Sequence, residues 1–170
     1  TVGIEIPQNK FLILDGAMGT VLQQRGLSPQ GRPELLNLTE PELLDSVYKE
    51  YIAAGSQVIY ANTFGANGLK LAKTGHSVEE VVGAAIAVAK KAAAGTGTLV
   101  ALDVGPLGEL LEPMGTLSFE RAYDLFREMA EAGAKAGADL IVVETMTDLY
   151  EAKAALLAAK EAAHLPVFVT

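Results

Sequence analysis

Four polar side chains stand where apolar runs stop. Asp15 follows FLIL (11–14), Asn62 follows QVIYA (57–61), Asp103 follows TLVAL (98–102) and Glu144 follows LIVV (140–143). A fifth run, PVFV (166–169), ends on Thr170. The intervals between the four are nearly equal, so a repeating unit brings them round to equivalent places. If those runs are parallel strands, their carboxyl ends gather on one face and the four groups point into a shared pocket. Carboxylates held together there could take a cationic ligand, and Asp103 with Glu144 could also work as an acid/base pair. Asp and Asn after a strand are in addition common turn residues, so each position alone is open to that plainer reading.

The elements that must position these groups are legible from periodicity. The five runs are short, β-branched and nearly continuous in apolar character, as strands covered on both faces are. Between them lie stretches with helical spacing: Leu43, Leu44, Val47, Tyr51 and Ile52, then Val78, Val81, Val82, Ala85, Ile86 and Ala89, then Ala122, Leu125, Phe126 and Met129, then Leu149, Ala152, Leu156 and Leu157. Thr39 with Glu42, Ser77 with Glu80 and Asp148 with Glu151 have capping-box spacing and predict three helix starts. Gly55, Gly95 and Gly137 predict helix ends.

Alternating strands and helices imply parallel strands joined by right-handed crossovers, hence an α/β fold. Two architectures fit: a doubly wound open sheet, or a piece of a (β/α)8 barrel. The polar strand ends and their steady period favour the barrel, and residues 1–170 read as about five βα units from its N-terminal portion. A complete barrel takes about 250 residues.

Loop chemistry adds detail. DGAMGT places Gly16 and Gly19 behind the acid, but a G-x-G-x-x-G pattern is absent and Asp15 would repel a phosphate. YANTFGAN and LDVGPLGEL are turn-rich and offer backbone amides able to hold a carboxylate. Asp148 reads as a cap, His76 as a neighbour of the cap Ser77, His164 as a helix end, Met129 as part of a core stripe, and Met18, Met114 and Met146 as gap-fillers.

Composition narrows the function. Half the residues are apolar and a fifth charged, the profile of a folded globular domain. The net charge is −8 with no basic stripe, which argues against nucleic acid. No apolar run approaches the roughly 18 residues of a membrane span, and TVGIEIPQNK has no basic start followed by an apolar core. The chain therefore reads as soluble and cytoplasmic. Cysteine is absent, so these residues hold no thiolate metal site.

Taken together, LDGAMGT, ANTFGAN, DVGPLGELLEPMGT and VVETMTDLYEAKAAL resemble the homocysteine S-methyltransferase family over nearly the whole chain, in order and spacing. The form of the first motif resembles the N-terminal homocysteine-binding module of the cobalamin-dependent methionine synthases more than the betaine-dependent branch. The resemblance implies a (β/α)8 barrel with homocysteine across the carboxyl ends of its strands. It implies that Asp15 and Glu144 hold the substrate ammonium, and that backbone near Gly16, Ala17 and Thr63 holds its carboxylate. Asn62 and Asp103 complete the candidate set. The zwitterion's chemistry agrees, since it needs acids at one end and amide donors at the other.

The resemblance further implies that three cysteines on later strands bind Zn²⁺, which holds the substrate sulfur as thiolate below a free thiol's usual pKa of about 8.5. Methylcobalamin and methyltetrahydrofolate would bind other modules. With no cysteine here, those zinc ligands are expected beyond Thr170, and the chain is expected to be the first part of a larger enzyme, inactive alone. The competing expectation is a non-catalytic half-barrel that self-associates to cover its open sheet edges.

Overall fold

A computed structural model of the protein describes residues 11–28 and 31–170. The leading decapeptide, read above for a signal sequence, lies outside the described residues. Four parallel strands, β1 (Val58–Tyr60), β2 (Leu99–Val104), β3 (Leu140–Val143) and β4 (Val167–Val169), stand side by side in chain order. Seven helices accompany them among the described residues: α1 (Met18–Gln24), α2 (Leu36–Thr39), α3 (Pro41–Ala53), α4 (Gly68–Leu71), α5 (Val78–Ala93), α6 (Phe119–Ala136) and α7 (Leu149–Ala162).

Sequential strand order decides between the two architectures. A doubly wound sheet reverses its order at a switch point and carries helices on both faces. Here the order never reverses, and α3, α5, α6 and α7 pack successively against one another along one face. That face carries Ile59, Val100, Leu102, Ile141 and Val143, which join the main core between sheet and helices. Alternation sends their neighbours Val58, Ala101, Leu140 and Val142 to the opposite face, where they form a separate small core with Leu12, Tyr60, Leu99 and Phe168. Helices outside and a second core inside make the curved wall of a barrel.

Two capping boxes hold in part and one does not. Ser77 accepts the Glu80 amide at 3.1 Å and starts α5. Asp148 accepts the Tyr150 amide at 2.7 Å and starts α7. Thr39 caps nothing: it is the last residue of α2, its hydroxyl donates back to the Leu35 carbonyl, and α3 begins at Pro41 with Glu40 before it. Proline has no N–H to satisfy and a fixed φ suited to the first helical position, so it sets that start by itself. A fourth cap, Ser118 accepting from the Arg121 amide, starts α6. Gly55, Gly95 and Gly137 all have positive φ and end helices as expected.

Among the described residues the sheet has four strands, and FLIL, expected as a fifth, is not one of them. FLIL (11–14) touches β1 through a single bridge, Leu14 to Val58, flanked by hydrogen bonds from Gln57 N to Ile13 O and from Asp15 N to Val58 O. Phe11 is 94% exposed and Ile13 54%, so the run is not covered on both faces. Apolar composition there reported a tendency to pair, while a regular ladder also needs length and packing on the far flank.

Candidate functional site

The sheet explains why the acids meet. Along β2 the inward positions are Leu99, Ala101 and Asp103, and along β3 they are Leu140, Val142 and then Glu144, with Asp103 in register with Val142. The inner face therefore changes from apolar to acidic at its carboxyl end. Asp15 reaches the same end from the neighbouring edge, where its Oδ2 accepts the Tyr60 amide at 2.9 Å. The result is a cavity of about 540 Å³ lined by Asp15, Glu34, Asn62, Asp103 and Glu144, with Tyr60, Phe64 and the 16–20 stretch completing the wall. Among the described residues, no Lys, Arg or His lines it.

Excess negative charge in a partly dry cavity raises the cost of ionisation. Burial pushes the Asp15 carboxyl from its ordinary 3.8 up to about 7, against the lowering effect of its amide donors, and Glu144 nearby adds to the rise. Asp103 is pushed well above the ordinary range by burial, with Glu144, Asp15 and Glu34 reinforcing it. Glu144 is raised by burial. Two carboxylate oxygens, Asp15 Oδ1 and Asp103 Oδ1, are buried without a hydrogen-bond partner. Unpaired acceptors of this kind are costly, and a cationic donor would satisfy them.

The other candidates from the sequence divide into lining and supporting groups. Gly16 and Ala17 line the cavity just before α1, whose first turn has no side-chain cap. Tyr51 packs on them, donating to the Ala17 carbonyl at 3.1 Å, and a Cβ on Gly16 would lie 3.0 Å from the Tyr51 hydroxyl. Asn62 lines the cavity, but its amide is engaged: Nδ2 donates to Pro33 O and Asn37 Oδ1, and its backbone N–H donates to Tyr48 Oη. Thr63 is fully buried behind the lining. Its hydroxyl donates to Asp103 O at 2.7 Å and accepts from Asp103 N at 3.0 Å, fixing the backbone that carries the acid. The structure thus brings Asp15, Gly16, Ala17, Asn62, Asp103 and Glu144 around one cavity and sets Thr63 behind it.

Glu34 was not foreseen. It lies in a 3-10 turn, Pro33–Leu35, and its Oε1 accepts the Gly65 amide at 2.8 Å, tying that turn to the loop after β1. Its side chain packs so closely on Gly65 that a Cβ there would collide with it. No local periodicity marks a residue in so short a turn; only its place beside Pro33 hinted at structure. Glu151, read as a capping partner, instead accepts the Leu107 amide at 2.7 Å and anchors the loop after β2.

The residues present do not make a zinc site. The chain has no cysteine, and among the described residues no three His, Asp or Glu side chains converge to hold a metal ion. No helix among them is long and apolar enough to cross a membrane.

Comparison with known proteins identifies the family. The sequence profile of the homocysteine S-methyltransferase family matches residues 12–170. The methionine synthases of Mycobacterium tuberculosis and Mycobacterium leprae are each 31% identical over 97% and 98% of the chain, which spans 15% of their length. The homocysteine methyltransferase MmuM from Escherichia coli superposes in its oxidised form with a TM-score of 0.80 at 29% identity, covering 94% of this chain and 61% of that one. Its metallated form gives 0.81 at 27% identity, over 95% and 63%.

Proposed function

The chain belongs to the homocysteine S-methyltransferase family, and on that premise we propose that its cavity holds homocysteine for methyl transfer to sulfur. The observation that carries this reading is the cavity at the carboxyl ends of the strands, lined by acids and, among the described residues, by no base. Asp15 and Glu144 take the ammonium, whose charge offsets the cost of ionising two carboxyls that burial raises. The substrate carboxylate lies at Gly16 and Ala17, where the uncapped start of α1 offers backbone amides. Asn62 and Asp103 shape the floor, and Thr63 acts on the substrate only through the Asp103 backbone it clamps.

In the reaction the sulfur's electron pair forms the new bond to the methyl carbon, and the donor keeps the pair of the bond it loses. Zinc, where it serves the family, would hold that sulfur as thiolate. Since these residues do not form its site, its ligands belong to chain beyond them, as do cobalamin and folate modules. The same proposal makes residues 1–170 the first part of a barrel. Sequential strand order and the partial coverage of the relatives support it. A cytoplasmic setting, where thiols stay reduced, suits the substrate.

Calorimetric titration tests the reading. Homocysteine is expected to bind, and Asp15→Asn and Glu144→Gln each to weaken binding by about 10- to 100-fold, the worth of a charge-assisted hydrogen bond. Unchanged affinity in both variants refutes the ammonium assignment. A second reading, self-association, is favoured by the exposed apolar edges at Phe11, Ile13 and Val169. It predicts a dimer in sedimentation at micromolar concentration, and a monomer refutes it.

A further inference from the structure

The loop after β2 and the first turns of α6 and α7 enclose a groove that the homocysteine reading does not use. Its volume is about 810 Å³, and Leu111, Pro113, Phe119, Tyr150, Leu156 and Leu157 supply its apolar walls. Apolar side chains also project beside it: Met114 is 81% exposed, Leu149 68% and Tyr150 61%. Apolar surface gathered in this way marks a place of contact with another molecule. Both helices contribute walls, so the groove lies in the seam between them and not along the sheet edges at Phe11 and Val169.

The seam is built in advance. Tyr150, Lys153 and Leu157 recur at i, i+3 and i+7 on α7, turned away from the buried stripe of Glu151, Ala154, Ala155 and Ala158. Facing them, the loop is closed by a bridge between Leu111 and Leu117 and by bonds from Glu112 N to Leu117 O and from Gly115 N to Leu111 O, both 2.9 Å. Glu151 ties the same loop to α7 through the Leu107 amide. A partner therefore meets a fixed surface, and docking loses little ordering entropy.

Charge identifies the partner. Lys153, Glu112 and Glu120 line the groove, and among the described residues none of the three makes an ion pair. The Lys153 ammonium rests 5.2 Å from the centroid of the Tyr150 ring on its own helix. A wholly basic or wholly acidic partner would leave one of the two signs facing its like. A face that carries both signs, and both apolar projections and an apolar recess, complements itself about a two-fold axis. We propose that the groove is the contact face of a two-fold dimer of this chain. Met114, Leu149 and Tyr150 of each copy enter the recess of the other, and each Lys153 meets the acids Glu112 and Glu120 across the axis. The dimer leaves the cavity at the strand ends open in both copies and stands independently of the homocysteine reading. It differs from sheet-edge association in the residues it buries. One loop and two helix turns are fewer than the roughly 20–30 residues a standard interface places on each side, which sets the association in the micromolar range.

Analytical ultracentrifugation of the 170-residue chain from micromolar to submillimolar concentration tests the proposal. The wild type is expected to pass from monomer to dimer. Lys153→Glu reverses both charge contacts at once by symmetry and is expected to raise the dissociation constant about 10- to 100-fold, as is the double variant Glu112→Lys/Glu120→Lys. Mixed together, these two variants are expected to form a heterodimer of wild-type strength, because each restores the opposite sign for the other. All three positions are exposed, so circular dichroism is expected to show unchanged folding. Tyr150→Ser, which removes an exposed ring, serves where a charge variant does not fold and is expected to weaken the dimer by a similar factor. A wild type that stays monomeric throughout overturns the proposal. So does a dimer of undiminished strength in the variants, which would put the contact at the sheet edges, and so does a failure of the mixed variants to associate.

Discussion

Replacing Asp15 by Asn is expected to stabilise the ligand-free protein at pH 8 and leave its stability at pH 4 nearly unchanged. The substitution is close to isosteric: Asn Oδ1 can keep the 2.9 Å bond from the Tyr60 amide, and an NH2 replaces the unpartnered oxygen. The sign follows from linkage. Asp15 titrates near 7 in the folded state against 3.8 ordinarily, so between those values the folded state binds a proton that the unfolded chain has released. Wild-type stability therefore falls as pH rises from about 4 to about 7. At 1.36 kcal/mol per pH unit the full effect is about 4 kcal/mol, and screening at the open side of the cavity reduces it to about 2 kcal/mol. Asp103 and Glu144, also raised, contribute the same sign, so the variant keeps a shallower slope rather than a flat one. Urea denaturation at pH steps from 4 to 8 measures this as a shift in midpoint at constant m. Equal slopes for wild type and variant between pH 4 and 7, or a variant less stable than wild type at pH 8, would refute the claim that the cavity penalises this charge.

Other perturbations probe the scaffold around the cavity. Gly105→Ala places a Cβ 2.5 Å from the Phe64 ring, and overpacking of this kind is expected to cost about 1–3 kcal/mol; thermal unfolding measures it, and an unchanged midpoint would show that the ring moves freely. Thr63→Val removes both hydrogen bonds to the Asp103 backbone and is expected to destabilise by about 1–3 kcal/mol, read by the same melts. Glu151→Gln preserves an acceptor for the Leu107 amide. Burial raises the Glu151 carboxyl, so the variant is expected to gain stability relative to wild type as pH rises above the ordinary carboxylate range, whereas Glu151→Ala loses stability at every pH. Ser77→Ala, which leaves the Glu80 amide uncapped, is expected to cost about 1 kcal/mol in denaturant titration.

Much of this protein was legible before any coordinates. Short, nearly continuous apolar runs located β1 to β4, because a strand covered on both faces is apolar throughout, and the 3.6-residue period located the four long helices, because a helix buried on one face must repeat its apolar residues at its own geometry. The strand-end rule found Asp15, Asn62, Asp103 and Glu144, because parallel strands leave their carboxyl ends on one side whatever the sequence between them. What failed was local in a different way. FLIL carried a strand's composition without a strand's neighbours, and Thr39 carried a cap's chemistry two residues before a proline that fixed the helix start. Those outcomes depend on what packs alongside, which composition does not record.

The sequence by itself determined the fold class, the acidic character of the strand ends and the lack of cysteine for a thiolate site. Each is a property of residue type or spacing along one chain. Only the tertiary structure decided that Glu34, from a turn with no periodic signal, joins the acids across the loop after β1. Only it decided that the Asn62 amide is engaged by Asn37 and Pro33 while Asp103 is left with a bare oxygen. Whether a buried polar atom is satisfied depends on the sum of its neighbours in space, and the nearest of those neighbours lie tens of residues away along the chain.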